Sequence, residues 1–158
     1  MRLLSSRLFV ISSAIALYGS SLYLPAFSYI PFLDKIPESI TRMPGWAPLV
    51  FGAVAVLFAQ VAAISFLANP SFFAAFIAYC AREYKLSEKC SAASFVLGLA
   101  FFPLDWIRPV MLPFSGEGET LNHPIPMIGY AVWMLTFLTT YLGAKVARHP
   151  PPLIGRTI

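Results

Sequence analysis

The residues able to do chemistry are few and stand apart. Asp105 and Arg108 lie three positions apart, with Trp106 between them. On a helix such a pair shares a face and can form an ion pair, and an ionisable residue drawn into an apolar bundle is a site hypothesis. Pro103 and Pro109 bracket the pair, so the same residues also read as the solvated end of a helix. Gln60 falls in the middle of a long charge-free run. An amide there needs a partner, because an unpaired polar group in hydrocarbon costs several kcal/mol. Asn69 precedes Pro70 and can cap the helix that follows. A broken helix at that point is also where transporters bind substrate. Gln60, Asn69, Asp105 and Arg108 are therefore the candidate structural or binding groups.

The signatures of enzymes and metal proteins are missing. His123 and His149 flank the last apolar run at opposite ends, so they cannot meet on one metal ion. Cys80 and Cys90 are ten apart, with no Cys-x-x-Cys and no clustered histidine. There is no glycine-rich phosphate loop and no Gly-x-Ser-x-Gly elbow. The expectation is no catalytic residue, no metal and no cofactor.

The elements holding these residues follow from composition. Of 158 residues 58% are hydrophobic and only 11% charged, and the mean hydropathy is +0.73. A soluble domain carries about 25% charged residues, and a chain of this size cannot hide so much apolar surface in one core. The net charge of +4 comes from scattered residues rather than a basic stripe, which excludes a nucleic-acid module. The composition points to an all-α integral membrane bundle, with the lipid bilayer as its first partner. A spanning helix needs about 20 apolar residues. The charge-free run 43–81 has 39 residues and as one helix would reach about 58 Å, twice the hydrocarbon thickness. It must break, and Asn69-Pro70 is the expected break. The reading is five short helices near 8–27, 46–66, 70–84, 88–106 and 125–146, or four spans if the broken region only dips in and back. A Pro-rich tail, 149–158, follows.

Lys and Arg orient the bundle. With five spans, Lys35, Arg42, Arg82, Lys85, Lys89, Lys145, Arg148 and Arg156 lie inside. With four, Arg2 and Arg7 replace Lys35 and Arg42. Both place the C-terminus in the cytoplasm and leave the N-terminal side open. Arg2 and Arg7 before an apolar stretch also resemble a signal peptide, but the cleavage site is poor, so an uncleaved anchor helix is expected.

Small residues recur every four positions, as helix packing in lipid requires: Ser12, Ala16 and Ser20; Ala55, Ala59 and Ala63; Ser94 and Gly98; Thr139, Gly143 and Ala147. They are read as packing within the chain. Trp46 and Trp106 fall at helix ends, where amphipathic rings favour the headgroup region, whereas Trp133 lies deeper and fills space between helices. Phe66, Phe72, Phe73, Phe76, Phe95, Phe101 and Phe102 surround the break and read as packing bulk. The connector from Pro109 to Pro126, with Glu117 and Glu119, is long enough to be a partner surface.

Several stretches carry a resemblance. Ser-Leu-Tyr-Leu-Pro-Ala-Phe (21–27), Gly45-Trp46, and Phe66-Leu67-Ala68-Asn69-Pro70 followed by Arg82-Glu83-Tyr84 resemble a widespread group of small, uncharacterised bacterial polytopic inner-membrane proteins. Their shared pattern is L-P-A-F, then G-W, then L-A-N-P. The resemblance implies a bacterial multi-pass protein and brings no catalytic residues. Ala63, Ile64 and Ser65 stand where the group often has a further aromatic.

The function expected is non-enzymatic: binding another membrane or periplasmic protein, as an accessory subunit or an immunity-type protein that blocks a pore-forming toxin. The alternative is an oligomeric carrier of small molecules or lipid, using the region around Asn69-Pro70.

Overall fold

The computed structural model describes residues 2–28, 42–57, 61–107 and 125–149. It is mostly helical: α1 (Arg2–Tyr23), α2 (Trp46–Leu57), α3 (Ala68–Cys80), α4 (Tyr84–Leu99), α5 (Phe101–Ile107) and α6 (Ile128–Arg148). A 3-10 helix, Val61–Leu67, runs directly into α3. Three short strands, β1 (Pro25–Ser28), β2 (Arg42–Pro44) and β3 (Ile125–Pro126), form an antiparallel sheet in the order β2-β1-β3.

Cross-helix contacts fix the directions. Arg7 of α1 meets the C-terminal residue of α3, and Tyr18 meets Asn69 near its start, so α1 and α3 are antiparallel. A tight turn reverses α3 into α4. Tyr130 of α6 meets Gly98 of α4, and Arg148 meets Glu88, so α6 runs back along α4. Gly143 of α6 packs on Val10 of α1, and Gly129 on the backbone of Leu24 and Pro25. The start of α1, the α3–α4 turn and the end of α6 therefore share one end of the bundle, here called the lower end. The sheet lies at the upper end, where Leu24 and Pro25 link it to α1 and Met127 to α6.

α2 does not run the length of the bundle. Its leading residue, Gly45, touches the backbone of Ser21 and Leu22, and Gly52 in its middle packs on the Phe66 ring. Both contacts are at the upper end, so α2 lies across that end from α1 to the 3-10 helix.

Several expected boundaries move. The first helix stops at Tyr23 rather than near 27, because Pro25 has no N–H to continue it, and the chain enters β1. Of the helix expected over 46–66, Trp46–Leu57 is α-helical and Val61–Leu67 is a 3-10 helix. The helix expected from Pro70 begins at Ala68, so Pro70 sits in its first turn, where a missing N–H is tolerated. It ends at Cys80 rather than 84. The next begins at Tyr84 rather than 88 and breaks at Ala100 before α5. The last starts at Ile128, close to the expected 125.

The α3–α4 turn has a defined mechanism. The Glu83 N–H donates to the Ala78 carbonyl and the Arg82 N–H to the Tyr79 carbonyl, the paired bonds of a Schellman motif. Arg82 takes the left-handed position at φ 69° that glycine usually fills. The Cys80 carbonyl is instead capped by the Arg7 guanidinium, which reaches across from α1.

Among the described residues no helix is long and apolar enough to cross a membrane. The expectation had counted charge-free residues, and a charge-free run is not always strongly apolar. α1 and α6 have the length, 22 and 21 residues, but serines dilute α1, and threonines and tyrosines dilute α6. α3 and α4 have 13 and 16 residues, about 20 and 24 Å.

The core is an aromatic cluster between the helices and beneath the sheet. Phe27, Phe72, Tyr130, Met134 and Phe137 form its centre with Ala26 and Ala68. Phe76, Phe95, Phe101 and Phe102 pack around it, as expected of phenylalanines serving as bulk. Ser94 and Gly98 are buried, and Gly143 is a helix contact. The stripe Ser12, Ala16 and Ser20 faces outward instead. α1 packs through Val10, Ala14, Tyr18 and Ser21.

Candidate functional site

Asn69 is the polar centre of the molecule. It is 6% exposed and stands in the first turn of α3, at the bottom of the 3-10 helix. The side-chain Oδ1 accepts the Tyr18 hydroxyl at 3.1 Å from α1 and the Trp133 indole N–H at 3.0 Å from α6. The Nδ2 donates to the Phe66 carbonyl at 3.4 Å. That last bond has a specific cause. In an α-helix the Phe66 carbonyl would accept the N–H of residue 70, but residue 70 is proline, which has none. The Asn69 amide supplies the missing donor.

The expected cap role is thus replaced. Leu67 is the N-cap of α3 and no side chain caps it. Asn69 bonds backward to the 3-10 helix and outward to two other helices.

Aromatic rings surround this centre. Tyr18 stacks on Phe72 with centroids 5.1 Å apart, and Trp133 meets Phe137 edge-on at 4.7 Å. A second polar tie lies nearby, where the Tyr130 hydroxyl donates to the Gly98 carbonyl at 2.9 Å. A Cβ on Gly98 would stand 2.6 Å from the Met134 sulfur, so the close approach there needs the missing side chain. Asn69, Tyr18 and Trp133 pin α1, α3 and α6 together, and Tyr130 pins α4 to α6.

The arrangement orients helices and offers little for reaction chemistry. Both acceptor directions of Oδ1 are used. No His, Cys, Asp or Glu is among the partners of Asn69. Among the described residues no group of three such side chains converges on one point. Cys80 and Cys90 are both free. An open apolar groove of about 780 Å³ lies between α4 and the upper half of α6, lined by Phe95, Leu99, Met127, Ile128, Leu135 and Leu138. Its one hydroxyl, Tyr130, is already bonded to Gly98.

Gln60 and Arg108 lie outside the described residues, as does His123. Asp105 is in the short helix α5, after the break at Ala100. The sequence reading missed Tyr18 and Trp133 as partners of Asn69. The signal was present for Trp133. A deep indole N–H must find an acceptor, and Asn69 is one of the few side-chain acceptors in the apolar runs. It also missed Arg7 as the cap of α3, whose last carbonyls need donors that a basic side chain can supply.

No family model, curated protein or solved structure matches the chain.

Proposed function

We propose that this is a bacterial inner-membrane protein that acts without chemistry of its own, by holding a protein partner at the upper end of its bundle. The observation that carries the membrane part is the inverted distribution of residue types. Leu8, Phe9, Ile15, Val50, Phe73, Ile77, Val96, Leu135, Leu142 and Val146 are each 46% exposed or more, whereas Ser21, Asn69, Ser87, Ser91, Ser94, Thr136 and Thr140 are each 6% exposed or less. In water this arrangement leaves a large apolar exterior unaccounted for. In lipid it is the expected one, with small and polar side chains gluing helices and large ones facing acyl chains.

Spanning segments are then composite. The 3-10 helix and α3 run without a gap from Val61 to Cys80, about 34 Å if laid end to end. α4 and α5 together cover Tyr84–Ile107 with a break only at Ala100. Taken with α1 and α6, which have the length of a span although serine, threonine and tyrosine dilute them, this would give four crossings and put both termini on one side. The lower end holds Arg2, Arg7, Arg82, Lys85, Lys89, Lys145 and Arg148 against Glu83 and Glu88. That is the balance of a cytoplasmic face. The four-span threading is favoured over five because α2 lies across the bundle.

The partner surface is assigned to the opposite, periplasmic end. In the chain, 29–41 joins β1 to β2 and 108–124 joins α5 to β3, and both stretches, with most of the connector expected to be a partner surface, lie outside the described residues. Long connectors are where binding residues concentrate. An accessory subunit or an immunity-type protein against a pore-forming toxin fits this arrangement. The carrier reading lacks support at Asn69, whose Oδ1 has no acceptor direction left for cargo.

Gentle extraction from the native membrane followed by native mass spectrometry tests the proposal. A stoichiometric protein companion is expected, lost when residues 110–122 are replaced by a Gly-Ser linker in a protein that keeps its melting temperature. A protein that travels alone, or only with bound lipid, would sink it. Reporter fusions at the two termini test the threading, and opposite sides would overturn four crossings.

A further inference from the structure

We infer that the seam between α3, α4 and α6 holds ordered water on the hydroxyls of Ser87 and Ser91. Ser87, Ser91 and Ser94 follow one another at helical spacing along α4, and all three are fully buried. Hydroxyls inside a helix bundle usually bond back to their own helix. Ser94 does so, donating to the Cys90 carbonyl at 2.8 Å. Thr136 and Thr140 do the same on α6, donating to the Val132 and Thr136 carbonyls. Ser71 of α3 reaches across to the Cys90 carbonyl at 3.0 Å. Ser87 and Ser91 are different: each Oγ is buried and has no hydrogen-bond partner.

Two orphaned hydroxyls one turn apart are costly in a dry seam, because a buried polar group without a partner loses its hydration and gains nothing. Their surroundings offer little relief. The bond between Ser71 and Cys90 sets the register of α3 on α4, and places Ser87 at the level of Ala75. The pairs Tyr130–Gly98 and Arg148–Glu88 set α6 on α4, and place Ser91 at the level of Thr140 and Ala144. Ala75 and Ala144 are fully buried methyl walls with no donor or acceptor. Side chains one turn apart have Cβ atoms about 5–6 Å from each other, a span that one water hydrogen-bonded to both hydroxyls covers. Thr140, already donating to its own helix, keeps lone pairs free for a proton from that water. Buried waters typically make about three such bonds. This inference does not depend on the membrane reading, since the two hydroxyls lack a protein partner whatever surrounds the bundle.

The test uses the full chain in detergent micelles or bilayers, with magnetisation transfer from water read by NMR at assigned serine sites. Fast transfer is expected at Ser87 and Ser91 despite their full burial, and slow transfer at Ser94. The S87A/S91A variant is expected to melt about 2–4 °C lower, the shift for loss of one net hydrogen-bonded water in a chain of this size. Transfer at Ser87 and Ser91 no faster than at Ser94 overturns the inference, whatever the variants do. A melting temperature unchanged or raised in S87A/S91A also overturns it, because removing orphaned hydroxyls from a dry seam is neutral or stabilising.

Discussion

Replacing Asn69 by alanine should be among the most damaging single changes in the bundle interior. The substitution removes three hydrogen bonds at once, to Tyr18, Trp133 and the Phe66 carbonyl. It also strands their partners. The Phe66 carbonyl cannot turn to residue 70, which is proline, and the Trp133 indole can only donate. A net hydrogen bond is worth about 1 kcal/mol, and a stranded buried group costs about 1–3 kcal/mol. In membranes the average interhelix bond is weaker, about 0.6 kcal/mol. Three bonds with two stranded partners therefore predict a loss of about 2–4 kcal/mol, a large share of a typical stability of about 5–15 kcal/mol. Equilibrium unfolding in mixed micelles, followed by tryptophan emission, reads the loss. A double-mutant cycle with Trp133→Phe isolates the indole bond, and Asn69→Ala should cost at least about 0.5 kcal/mol less in that background. A loss under about 1 kcal/mol together with additive behaviour in the cycle would refute the hub, and with it the account of why the chain places an asparagine before this proline.

Other changes test the local geometry. Gly129→Ala should destabilise by about 1–3 kcal/mol, because the new methyl would stand 2.7 Å from the Leu24 carbonyl oxygen and wedge α6 from the sheet; thermal unfolding reads it. Arg82→Gly should stabilise by about 1 kcal/mol, since an L-residue at φ 69° carries the left-handed strain that glycine lacks; an unchanged melting temperature would count against the turn as described. Pro70→Ala restores a donor for the Phe66 carbonyl, so the 3-10 segment 61–67 should widen toward α-helix and gain amide protection in hydrogen exchange. Arg148→Ala should shift stability by less than about 1 kcal/mol, because its ion pair with Glu88 is 41% and 20% exposed.

Much of this arrangement was legible in the residues, but unevenly. Helical character followed from charge-free runs and apolar content, and the aromatic cluster from phenylalanines gathered around one break. The positions of the breaks did not. Pro70 reads as a helix boundary in sequence, yet the first turn of a helix accepts proline, and α3 begins two residues before it, directly after a 3-10 helix. The sheet was invisible, since its strands are two to four residues long and each contains a proline. A period of two cannot be seen in so few positions. Asn69 stands out in sequence as a polar group needing a partner, while the partners it has lie 51 and 64 residues away. Only the packing of α3 antiparallel to α1 and parallel to α6 brings them together. The small-residue stripe of α1 misled for a similar reason: spacing gives a face, and only tertiary packing says which face is inside.

The polar interior and the apolar exterior are one property seen from two sides. In water, burying Leu8, Ile77 or Val146 would contribute about 1.5–3 kcal/mol each, and a sequence selected for a soluble core would place them inward. Here they face out, while the interior joins an aromatic cluster around Phe72 and Phe137 to a seam of serine, threonine and alanine along α4 and α6. In lipid, helices joined that way would have little hydrophobic force between them, so specificity would come from close contact and from hydrogen bonds. Asn69 supplies it in the upper half of the bundle. The Arg7 cap on Cys80 and the turn at Arg82 supply it at the lower end. Just above that turn on α4, the Ser87 and Ser91 hydroxyls are buried without a partner, beside the bonds from Ser71 to Cys90 and from Arg148 to Glu88. That is the stretch where water completes the bonding, and where replacing both serines tests whether the bundle is held by polar contact throughout or only at its ends.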